Sequence, residues 1–285
     1  MSDSRPVTAA AAGTFQLGGD LPVNRMGYGA MRITGEGIWG EPKDLDKAKA
    51  VLRRVVELDV NFIDTADAYG PDVSENLIAD ALYPYKAGVV VATKGGLTRS
   101  GPGQWHPNGD PAYLRGALEG SLQRLKLDCI DVYQFHRPDP KVPFEDSVGE
   151  LAKLRDEGKI RHLGLSNVTT DQLQSAQAIV PIVSVQNRYN LFDRESEPVL
   201  EMCEREGIAF IPWFPVGAGN LDQGALGQIA KKYDVTLYQL ALAWLLKRSP
   251  VMLPIPGTSS IPHLEENVAA AGITLSDEDF ATLDQ

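Results

Sequence analysis

Short apolar runs alternate along the chain with longer stretches in which apolar residues recur every three or four positions. A short apolar run between turn-forming residues is typical of a buried strand, whereas the longer periodicity is typical of an amphipathic helix. On this basis strands are predicted at residues 26–31, 60–66, 89–95, 130–137, 160–167, 182–190, 208–215 and 251–258. The alternation of such strands with helices indicates a parallel sheet and the α/β fold class.

Helices are predicted between these strands, and many of them begin at Ser, Thr, Asp or Pro, as helices commonly do. They cover residues 45–58, 111–127, 144–157, 171–179, 196–206 and 236–247. Eight strand–helix units without a linker close most naturally into a (β/α)8 TIM barrel, which typically takes about 250 residues. We therefore expect a single barrel domain over residues 13–285, preceded by a flexible tail of residues 1–12.

Two kinds of element are expected in addition to the barrel. They are an N-terminal hairpin at residues 15–23 and extra C-terminal helices at residues 225–234 and 276–283. A doubly wound open sheet shows the same alternation, but its dinucleotide-binding fingerprint G-x-G-x-x-G is missing after the first strand. Arg32 stands where the third glycine is required after Gly27 and Gly29. The barrel is therefore the favoured architecture.

Composition and charge exclude several classes of function. Hydrophobic residues make up 43% of the chain and charged residues 23%, which is ordinary for a globular domain. The net charge of -11 argues against nucleic acid or an anionic membrane as the main partner, because both normally require clustered Lys and Arg. Cys129 and Cys203 cannot form a disulfide framework and lack metal-ligand spacing. With no recognisable signal peptide or membrane-spanning stretch, a cytoplasmic location is expected.

Polar side chains are expected to meet at the carboxyl ends of the strands, where barrel enzymes carry their chemistry. Asp64 lies at the end of the second predicted strand, Tyr69 follows it, and Lys94 and His136 lie at the ends of the next two. An ammonium such as that of Lys94 lowers the high pKa of a neighbouring tyrosine and improves it as a proton donor. Asp64 would hold Lys94 charged, and His136 would donate a hydrogen bond to a substrate oxygen that gains negative charge. This chemistry needs no metal.

Each of these residues also has a purely structural interpretation. A loop tyrosine usually packs or lies on the surface, a buried Asp–Lys pair is often structural, and a histidine at a strand end is often merely hydrogen-bonded. Their combination at one end of the barrel favours a catalytic site. Lys94 is also compatible with a lyase or aldolase in which its amine forms a Schiff base.

Three motifs resemble those of the aldo-keto reductase family, and the similarity extends from about residue 18 to residue 267. The segment Asn-Phe-Ile-Asp-Thr-Ala-Asp-Ala-Tyr-Gly at 61–70, followed by Ser-Glu-Asn, resembles the signature that supplies the family's catalytic aspartate and tyrosine. Ala-Thr-Lys at 92–94 resembles its lysine strand, and Asp-Val-Tyr-Gln-Phe-His at 131–136 resembles its histidine strand. All four catalytic positions of the family are filled.

The resemblance implies reduction of an aldehyde or ketone by NADPH, with a proton from Tyr69. Asp64 and Lys94 would tune this tyrosine, and His136 would orient the carbonyl. A small-molecule carbonyl substrate is therefore the expected partner. The alternative from another class is a catalytically silent module that binds the cofactor as a redox sensor.

The resemblance also implies a cofactor-binding site. Its predicted nicotinamide contacts are Ser166, Asn167, Gln186 and Trp213, and its predicted adenosine-phosphate contacts are Gly257, Thr258, Ser259, His263, Glu266 and Asn267. Many members place a lysine and an arginine where this chain has Gly257 and His263, and those cations bind the 2′-phosphate of NADPH. Backbone N–H groups and hydroxyls at the start of the following helix still suit a phosphate, so NADP(H) is expected to be preferred, with NAD(H) as the alternative.

Several framework runs resemble the bacterial pyridoxal reductase (pyridoxine 4-dehydrogenase) branch of the family. They are residues 24–31, 81–85, 241–246 and 255–260. Substrate choice is expected to lie in the loops at residues 33–41, 98–111 and 217–224. Trp39, Trp105 and His106 suggest a pocket for a small polar or aromatic carbonyl, and reduction of pyridoxal to pyridoxine is the specific reaction expected.

Overall fold

A curved parallel sheet forms the centre of the structure, a computed structural model that describes residues 7–215 and 224–284. The strands in chain order are β1 (Thr14–Leu17), β2 (Leu21–Asn24), β3 (Tyr28–Gly29), β4 (Phe62–Asp64), β5 (Val90–Gly95), β6 (Leu97–Gly101), β7 (Gln104–Pro107), β8 (Ile130–Phe135), β9 (Ile160–Ser166), β10 (Ile182–Arg188) and β11 (Ala209–Trp213). The sheet is parallel throughout, in the order β11-β10-β9-β8-β5-β4-β3. Its members all fall within the first seven predicted strands.

The eighth predicted strand, residues 251–258, is not a regular strand, although its backbone contacts both edges of the sheet. Phe210 of β11 forms two backbone hydrogen bonds of 2.9 Å with this segment. The carbonyl of Pro254 accepts the N–H of Gly27, just before β3, at 2.9 Å. Because proline has no N–H to donate, Pro254 and Pro256 interrupt a regular ladder. The segment therefore connects β11 to the chain before β3 through isolated hydrogen bonds.

Helices pack against the sheet and are placed largely as the periodicity predicts. In chain order they are α1 (Leu45–Glu57), α2 (Val73–Leu82), α3 (Pro111–Leu125), α4 (Phe144–Asp156), α5 (Thr170–Gln177), α6 (Glu197–Glu206), α7 (Ala225–Tyr233), α8 (Leu237–Arg248), α9 (Ile261–Ala269) and α10 (Asp277–Leu283). Thr236 and Gln239 form a capping box at the start of α8, which fixes where that helix begins. None of the helices in the described ranges has the length and apolar character needed to cross a bilayer.

β1 and β2 form an antiparallel pair that packs at the amino-terminal end of the sheet. Leu17 and Val23 are fully buried in an apolar cluster that includes Phe62 and Val90, the first residues of β4 and β5. A larger apolar cluster lies between the strands and the helices. With its amino-terminal end covered in this way, the sheet presents its carboxyl end to solvent and to ligands.

A short 3₁₀ helix at Ala9–Ala12 corrects the prediction of a flexible tail over residues 1–12. Ala9 is fully buried and donates its N–H to the carbonyl of Leu58 at 2.9 Å. Alanine has so small a side chain that this turn fits closely against the domain. Residues 1–6 lie outside the described part of the chain.

Candidate active site

The four predicted catalytic side chains come together at the carboxyl end of the sheet. Asp64 ends β4, Lys94 lies in β5, His136 directly follows β8, and Tyr69 lies in the loop between β4 and α2. All four are buried: 0% of Lys94 is exposed, 1% of Asp64, and 7% each of Tyr69 and His136. Parallel strands end at a common edge, so the sheet brings these distant positions into contact.

Lys94 is the centre of this cluster. Its Nζ donates to Oδ2 of Asp64 at 2.6 Å, to the carbonyl of Thr65 at 2.8 Å and to the hydroxyl of Tyr69 at 3.4 Å. Three acceptors match the three N–H donors of an ammonium. Burial acts to lower the pKa of Lys94, but the Asp64 carboxylate and the Tyr69 hydroxyl raise it above its usual value. Lys94 therefore carries a positive charge beside Tyr69 at neutral pH.

Two glutamines hold the second oxygen of Asp64. Its Oδ1 accepts from Nε2 of Gln134 at 3.0 Å and from Nε2 of Gln186 at 2.8 Å. Gln186 is thus placed on Asp64, although the sequence predicts it as a nicotinamide contact. Gln134 is absent from the predicted site residues, and alternation along β8 is the signal that identifies it, since it shares a face with the buried Val132. Both oxygens of Asp64 are therefore fixed.

Tyr69 lies with its ring between two other aromatic side chains. Its centroid is 5.9 Å from that of His136 and 6.3 Å from that of Trp105, both in edge-to-face geometry. Burial raises the pKa of Tyr69 above its ordinary value, and the charge of Lys94 opposes this shift without cancelling it. The lowered pKa expected from sequence is therefore not met, because removal of the phenol from water outweighs the ammonium.

The surroundings of His136 favour its neutral form. Burial, together with the positive charges of Lys94 and Arg137, lowers the pKa of His136 well below its ordinary value. Among the described residues, no side chain or backbone group forms a hydrogen bond with its Nδ1. A neutral imidazole offers one N–H and one acceptor nitrogen. Next to Tyr69, this ring therefore suits a hydrogen bond with a polar atom of a substrate.

The loop that carries Tyr69 is fixed by two hydroxyls and a glycine. Thr65 Oγ1 donates to Ser74 Oγ at 2.7 Å, and Ser74 Oγ donates to the carbonyl of Ala30 at 3.2 Å. Gly70 has a φ of 104°, a conformation that favours glycine. These residues of the signature motif therefore hold the turn that points Tyr69 toward Lys94.

Three of the four predicted nicotinamide contacts meet beside the backbone of His136. Asn167 adopts the left-handed conformation with a φ of 59°, which asparagine tolerates better than most residues. Its Nδ2 donates to the carbonyl of His136 at 3.1 Å and to Ser166 Oγ at 2.9 Å. Its Oδ1 accepts from Nε1 of Trp213 at 3.1 Å. The half-buried indole ring of Trp213 is therefore held in one orientation beside the cluster.

A cavity of about 540 Å³ adjoins this cluster through Trp105. It is lined by Met31, Arg32, Thr34, Gly35, Glu36, Gly37, Ile38, Gly103, Trp105, Gly257, Thr258 and Ser259. Three predicted phosphate contacts and part of two predicted substrate loops are thus brought together. The third predicted loop, 217–224, lies outside the described residues apart from residue 224.

The remaining predicted phosphate contacts, His263, Glu266 and Asn267, lie further along α9 and do not line this cavity. The carboxylate of Glu266 accepts the hydroxyl of Thr236 at 2.6 Å, at the start of α8. It thus has a structural partner outside the cavity. Across the residues that the structure describes, no group of three or more His, Cys, Asp or Glu side chains is arranged to hold a metal ion.

Close packing of two glycines explains why residue 257 has no cationic side chain. A Cβ at Gly257 would lie 2.5 Å from the carbonyl oxygen of Gly29, which no ordinary side chain tolerates. The same Cβ would be 3.7 Å from Cγ of Arg32, whose stem occupies the adjacent space. Arg32 is absent from the predicted site residues, because the sequence singles it out only where it breaks a glycine motif.

Comparison with known proteins shows the family to which the chain belongs. The sequence profile of the aldo/keto reductase family matches residues 25–285. The chain is 56% identical over 284 residues to an uncharacterised oxidoreductase of Schizosaccharomyces pombe, with 99% of this chain and 92% of that protein covered. It is 42% identical over 282 residues to pyridoxine 4-dehydrogenase of Escherichia coli (strain K12), with 96% and 98% covered.

A solved structure shows the same similarity in three dimensions. It is an aldo/keto reductase of Klebsiella pneumoniae in complex with NADP and acetate, with a TM-score of 0.81 and 29% identity, and 95% of this chain and 94% of that chain are covered. The chain therefore belongs to the aldo/keto reductase family and is an NAD(P)H-dependent oxidoreductase.

Proposed function

We propose that the chain reduces an aldehyde or ketone to an alcohol with NADPH, and that Tyr69 donates the proton. The observation that carries this proposal is the position of the Tyr69 hydroxyl, 3.4 Å from the charged Nζ of Lys94 and beside the neutral ring of His136. A fixed ammonium stabilises the phenolate that remains after proton transfer, so it favours release of the proton.

The side chains of the cluster divide the reaction between them. The nicotinamide, when bound, supplies the hydride. His136 orients the carbonyl through a hydrogen bond to its oxygen, where negative charge develops. Tyr69 transfers its proton to the same oxygen, and Lys94 stabilises the tyrosinate. Asp64 keeps Lys94 charged and in place through its 2.6 Å hydrogen bond.

The residues around the cluster fit a bound NADP(H). Trp213, held by Asn167, offers a fixed aromatic surface to the nicotinamide ring. At the start of α9 the N-cap residue Ser260 forms no side-chain cap, and the first turn has no acidic residue, so its N–H groups suit a phosphate. Arg32 adds a cation to the adjoining cavity. The Klebsiella relative is in complex with NADP, and we propose NADP(H) as the preferred cofactor, with NAD(H) as the alternative.

Pyridoxal is the substrate that we propose to test first. The Escherichia coli relative, 42% identical, is a pyridoxine 4-dehydrogenase, which supports pyridoxal and pyridoxine as the substrate pair. Trp105 lines the cavity and packs edge-to-face on Tyr69, so it offers an apolar aromatic face to a planar ring.

A lyase that forms a Schiff base on Lys94 is disfavoured by the same geometry. A Schiff base requires a neutral and accessible amine. The side chain of Lys94 is 0% exposed, its Nζ already donates to three acceptors, and its pKa is raised by Asp64 in spite of burial. The arrangement suits a fixed charge rather than a nucleophile.

Oxidation of NADPH and NADH, followed by the absorbance of the reduced cofactor, tests the proposal with pyridoxal and a panel of simple aldehydes. Tyr69→Phe is expected to lower kcat by roughly 10²- to 10⁴-fold, the range that a positioned proton donor contributes. Tyr238→Phe, which changes an exposed tyrosine, serves as the matched control. Full turnover by Tyr69→Phe would refute the assigned role. Tight cofactor binding without turnover of any carbonyl would instead favour the redox-sensor alternative.

A further inference from the structure

Arg99, in β6, donates hydrogen bonds to five backbone carbonyls. Its Nε donates to Gln104 at 3.0 Å, its Nη1 to Ile38 and Ala68 at 2.9 Å each, and its Nη2 to Gly37 at 3.1 Å and Gly101 at 3.4 Å. An arginine side chain has five N–H groups, so the number of acceptors equals the number of donors. Because all of its N–H groups donate to backbone carbonyls, the guanidinium fixes the segments to which those carbonyls belong.

The same guanidinium lies over two tryptophan rings. Its Cζ is 3.5 Å from the ring centroid of Trp105 and 5.6 Å from that of Trp39. A cation over an indole face is attracted by the electron density of the ring, more strongly where water is excluded. Arg99 therefore holds side chains as well as backbone.

The five carbonyls belong to three segments around the proposed active site. Two lie in the mouth loop at residues 33–41 and two in the hairpin β6–β7, and both segments line the 540 Å³ cavity. The fifth belongs to Ala68, the residue directly before Tyr69. Trp105, on which Arg99 stacks, also contacts the Tyr69 ring. Arg99 thus reaches Tyr69 both through the backbone and through an aromatic ring.

The cavity walls need such a tie because their glycines make these segments costly to order. Gly37, Gly40 and Gly103 all have positive φ, and they lie in the two segments that Arg99 joins. Glycine loses more conformational freedom on ordering than any other residue, so these segments need strong contacts to keep one shape. Their direct link is a single hydrogen bond from the N–H of Gly103 to the carbonyl of Gly37 at 3.2 Å, which is weak beside the contacts of Arg99.

We propose that Arg99 is a positioning residue that fixes two walls of this cavity, the loop at residues 33–41 and the hairpin β6–β7, against Tyr69, and that it thereby sets a preference for aromatic over short aliphatic carbonyls. The inference about preference rests on the proposed carbonyl reductase function. A rigid wall that carries Trp105 presents an aromatic face at a constant distance from the proton donor, which favours planar rings. A short aliphatic carbonyl makes little use of that wall.

The planar fork of arginine is essential to this role. Lysine would keep the positive charge, but its three donors radiate from one atom and do not reach carbonyls on three separate segments. Arg99→Lys therefore keeps the charge and removes most of the connection. Arg99→Met removes both and keeps only the apolar stem.

Hydrogen exchange on the protein without ligands tests the connection directly. Peptides over residues 33–41 and 101–107 are compared in the wild type, Arg99→Lys, Arg99→Met and the control Arg161→Met. Arg161 is a suitable control because it pairs with Asp20 and Asp131 near the amino-terminal end of the sheet. Exchange in both peptides is expected to accelerate about tenfold in the two Arg99 variants, which corresponds to a local loss of roughly 1.4 kcal/mol. The control is expected to match the wild type.

Steady-state kinetics at saturating cofactor test the preference. The KM for benzaldehyde is expected to rise about tenfold in Arg99→Met, while the KM for propanal changes little. Because Thr258 and Ser259 line the same cavity, the Kd of NADPH is measured for each variant so that saturation is maintained. Tyr69→Phe lowers kcat for both aldehydes instead, so the two roles are separable. Thermal melts confirm that each variant is folded, and Arg99→Lys decides the question if Arg99→Met does not fold.

Wild-type exchange rates in both Arg99 variants would overturn the proposal. Faster exchange with an unchanged ratio of benzaldehyde to propanal turnover would refute the part that concerns substrate preference. A wild-type protein that reduces no carbonyl would refute the proposed function, whereas the exchange data would still decide whether Arg99 holds the cavity walls.

Discussion

Strand β5 places two neighbouring side chains beside two buried carboxylates. Only one of the two pairs, Lys94 with Asp64, also contacts a group that can transfer a proton to a substrate. Successive side chains of a strand point to opposite faces, so Lys94 meets Asp64 while Thr93 meets Glu75. Both carboxylates are buried, with 1% of Asp64 and 0% of Glu75 exposed. The two sites therefore differ in what surrounds the charge rather than in how deeply it is buried.

The site around Glu75 is closed on all sides by its own partners. Glu75 accepts the hydroxyl of Thr93 at 2.5 Å and Nε of Arg124 at 2.6 Å, and Arg124 also lies 3.2 Å from Asp72. These groups tie α2, β5 and α3 together. The charge of Lys94 acts instead on the hydroxyl of Tyr69. A buried ion pair serves catalysis only where its charge influences a group that can exchange a proton with a substrate.

The largest effect is expected from Lys94→Met, which removes the cation from the proposed catalytic pair of Lys94 and Asp64. It leaves the Asp64 carboxylate buried without a counter-charge, which costs about 3–5 kcal/mol of unfolding free energy. It also removes the charge that opposes the raised pKa of Tyr69, so kcat is expected to fall by roughly 10²-fold or more. Urea unfolding and carbonyl reduction measure the two losses separately.

A second substitution distinguishes the two losses. Asp64→Asn in the Lys94→Met background removes the uncompensated charge and keeps a polar group for Gln134 and Gln186. Most of the stability is expected to return, because the penalty comes from the unpaired charge. Activity is expected to stay low. Recovery of activity together with stability would mean that Lys94 acts only by supporting the fold.

The sequence predicts the members of the proposed catalytic cluster but not all of their partners. The motifs give Asp64 and Lys94 directly, and parallel strands explain why they meet. Gln134 and Gln186 are 70 and 122 residues from Asp64 along the chain, so their hydrogen bonds depend on the register of strands that no local pattern defines. The role of Arg99 cannot be predicted from sequence either. Its acceptors are backbone carbonyls, which every residue has.

The elements of the fold are likewise predicted where local patterns determine them and missed where contacts with distant residues do. Periodicity predicts where helices and strands lie, since it reflects burial of one face or of a whole strand. It fails at residues 251–258, where the apolar pattern suggests a strand and two prolines prevent a regular ladder. It also fails at Ala9–Ala12, because alanines carry no periodic signal and their burial depends on contacts with distant residues such as Leu58.

A smaller effect, on stability alone, is expected when the pair of Glu75 and Arg124 is disturbed. Glu75→Gln keeps the shape of the side chain but removes the charge that Arg124 and Thr93 face. Hydrogen bonds to a charged group contribute about 1.5–3 kcal/mol, so a loss of about 2 kcal/mol in unfolding free energy is expected. The kcat for carbonyl reduction is expected to stay at the wild-type value. A large fall in kcat at unchanged stability would show that the two sites are coupled through β5.

The smallest effect is expected from a change of pH, and it arises at His136, beside Tyr69. Burial and the charges of Lys94 and Arg137 lower the pKa of His136 in the folded protein well below its ordinary value. In the unfolded chain a histidine titrates near about pH 6.5, so below that pH the unfolded state binds a proton that the folded state does not. The free energy of unfolding is therefore at its full value above about pH 6.5. It decreases as the pH falls toward the pKa of His136 in the folded protein.

Comparison of the wild type with His136→Gln in urea at pH values of about 7.5, 6.5 and 5.5 measures this loss. The wild type is expected to lose about 1 kcal/mol more than the variant between the two lower pH values, because one extra proton binds to its unfolded state. Equal slopes for wild type and His136→Gln would mean that His136 takes up a proton in the folded protein. A cationic imidazole would then stand beside Lys94, and the neutral form assigned to His136 in the folded protein would be wrong.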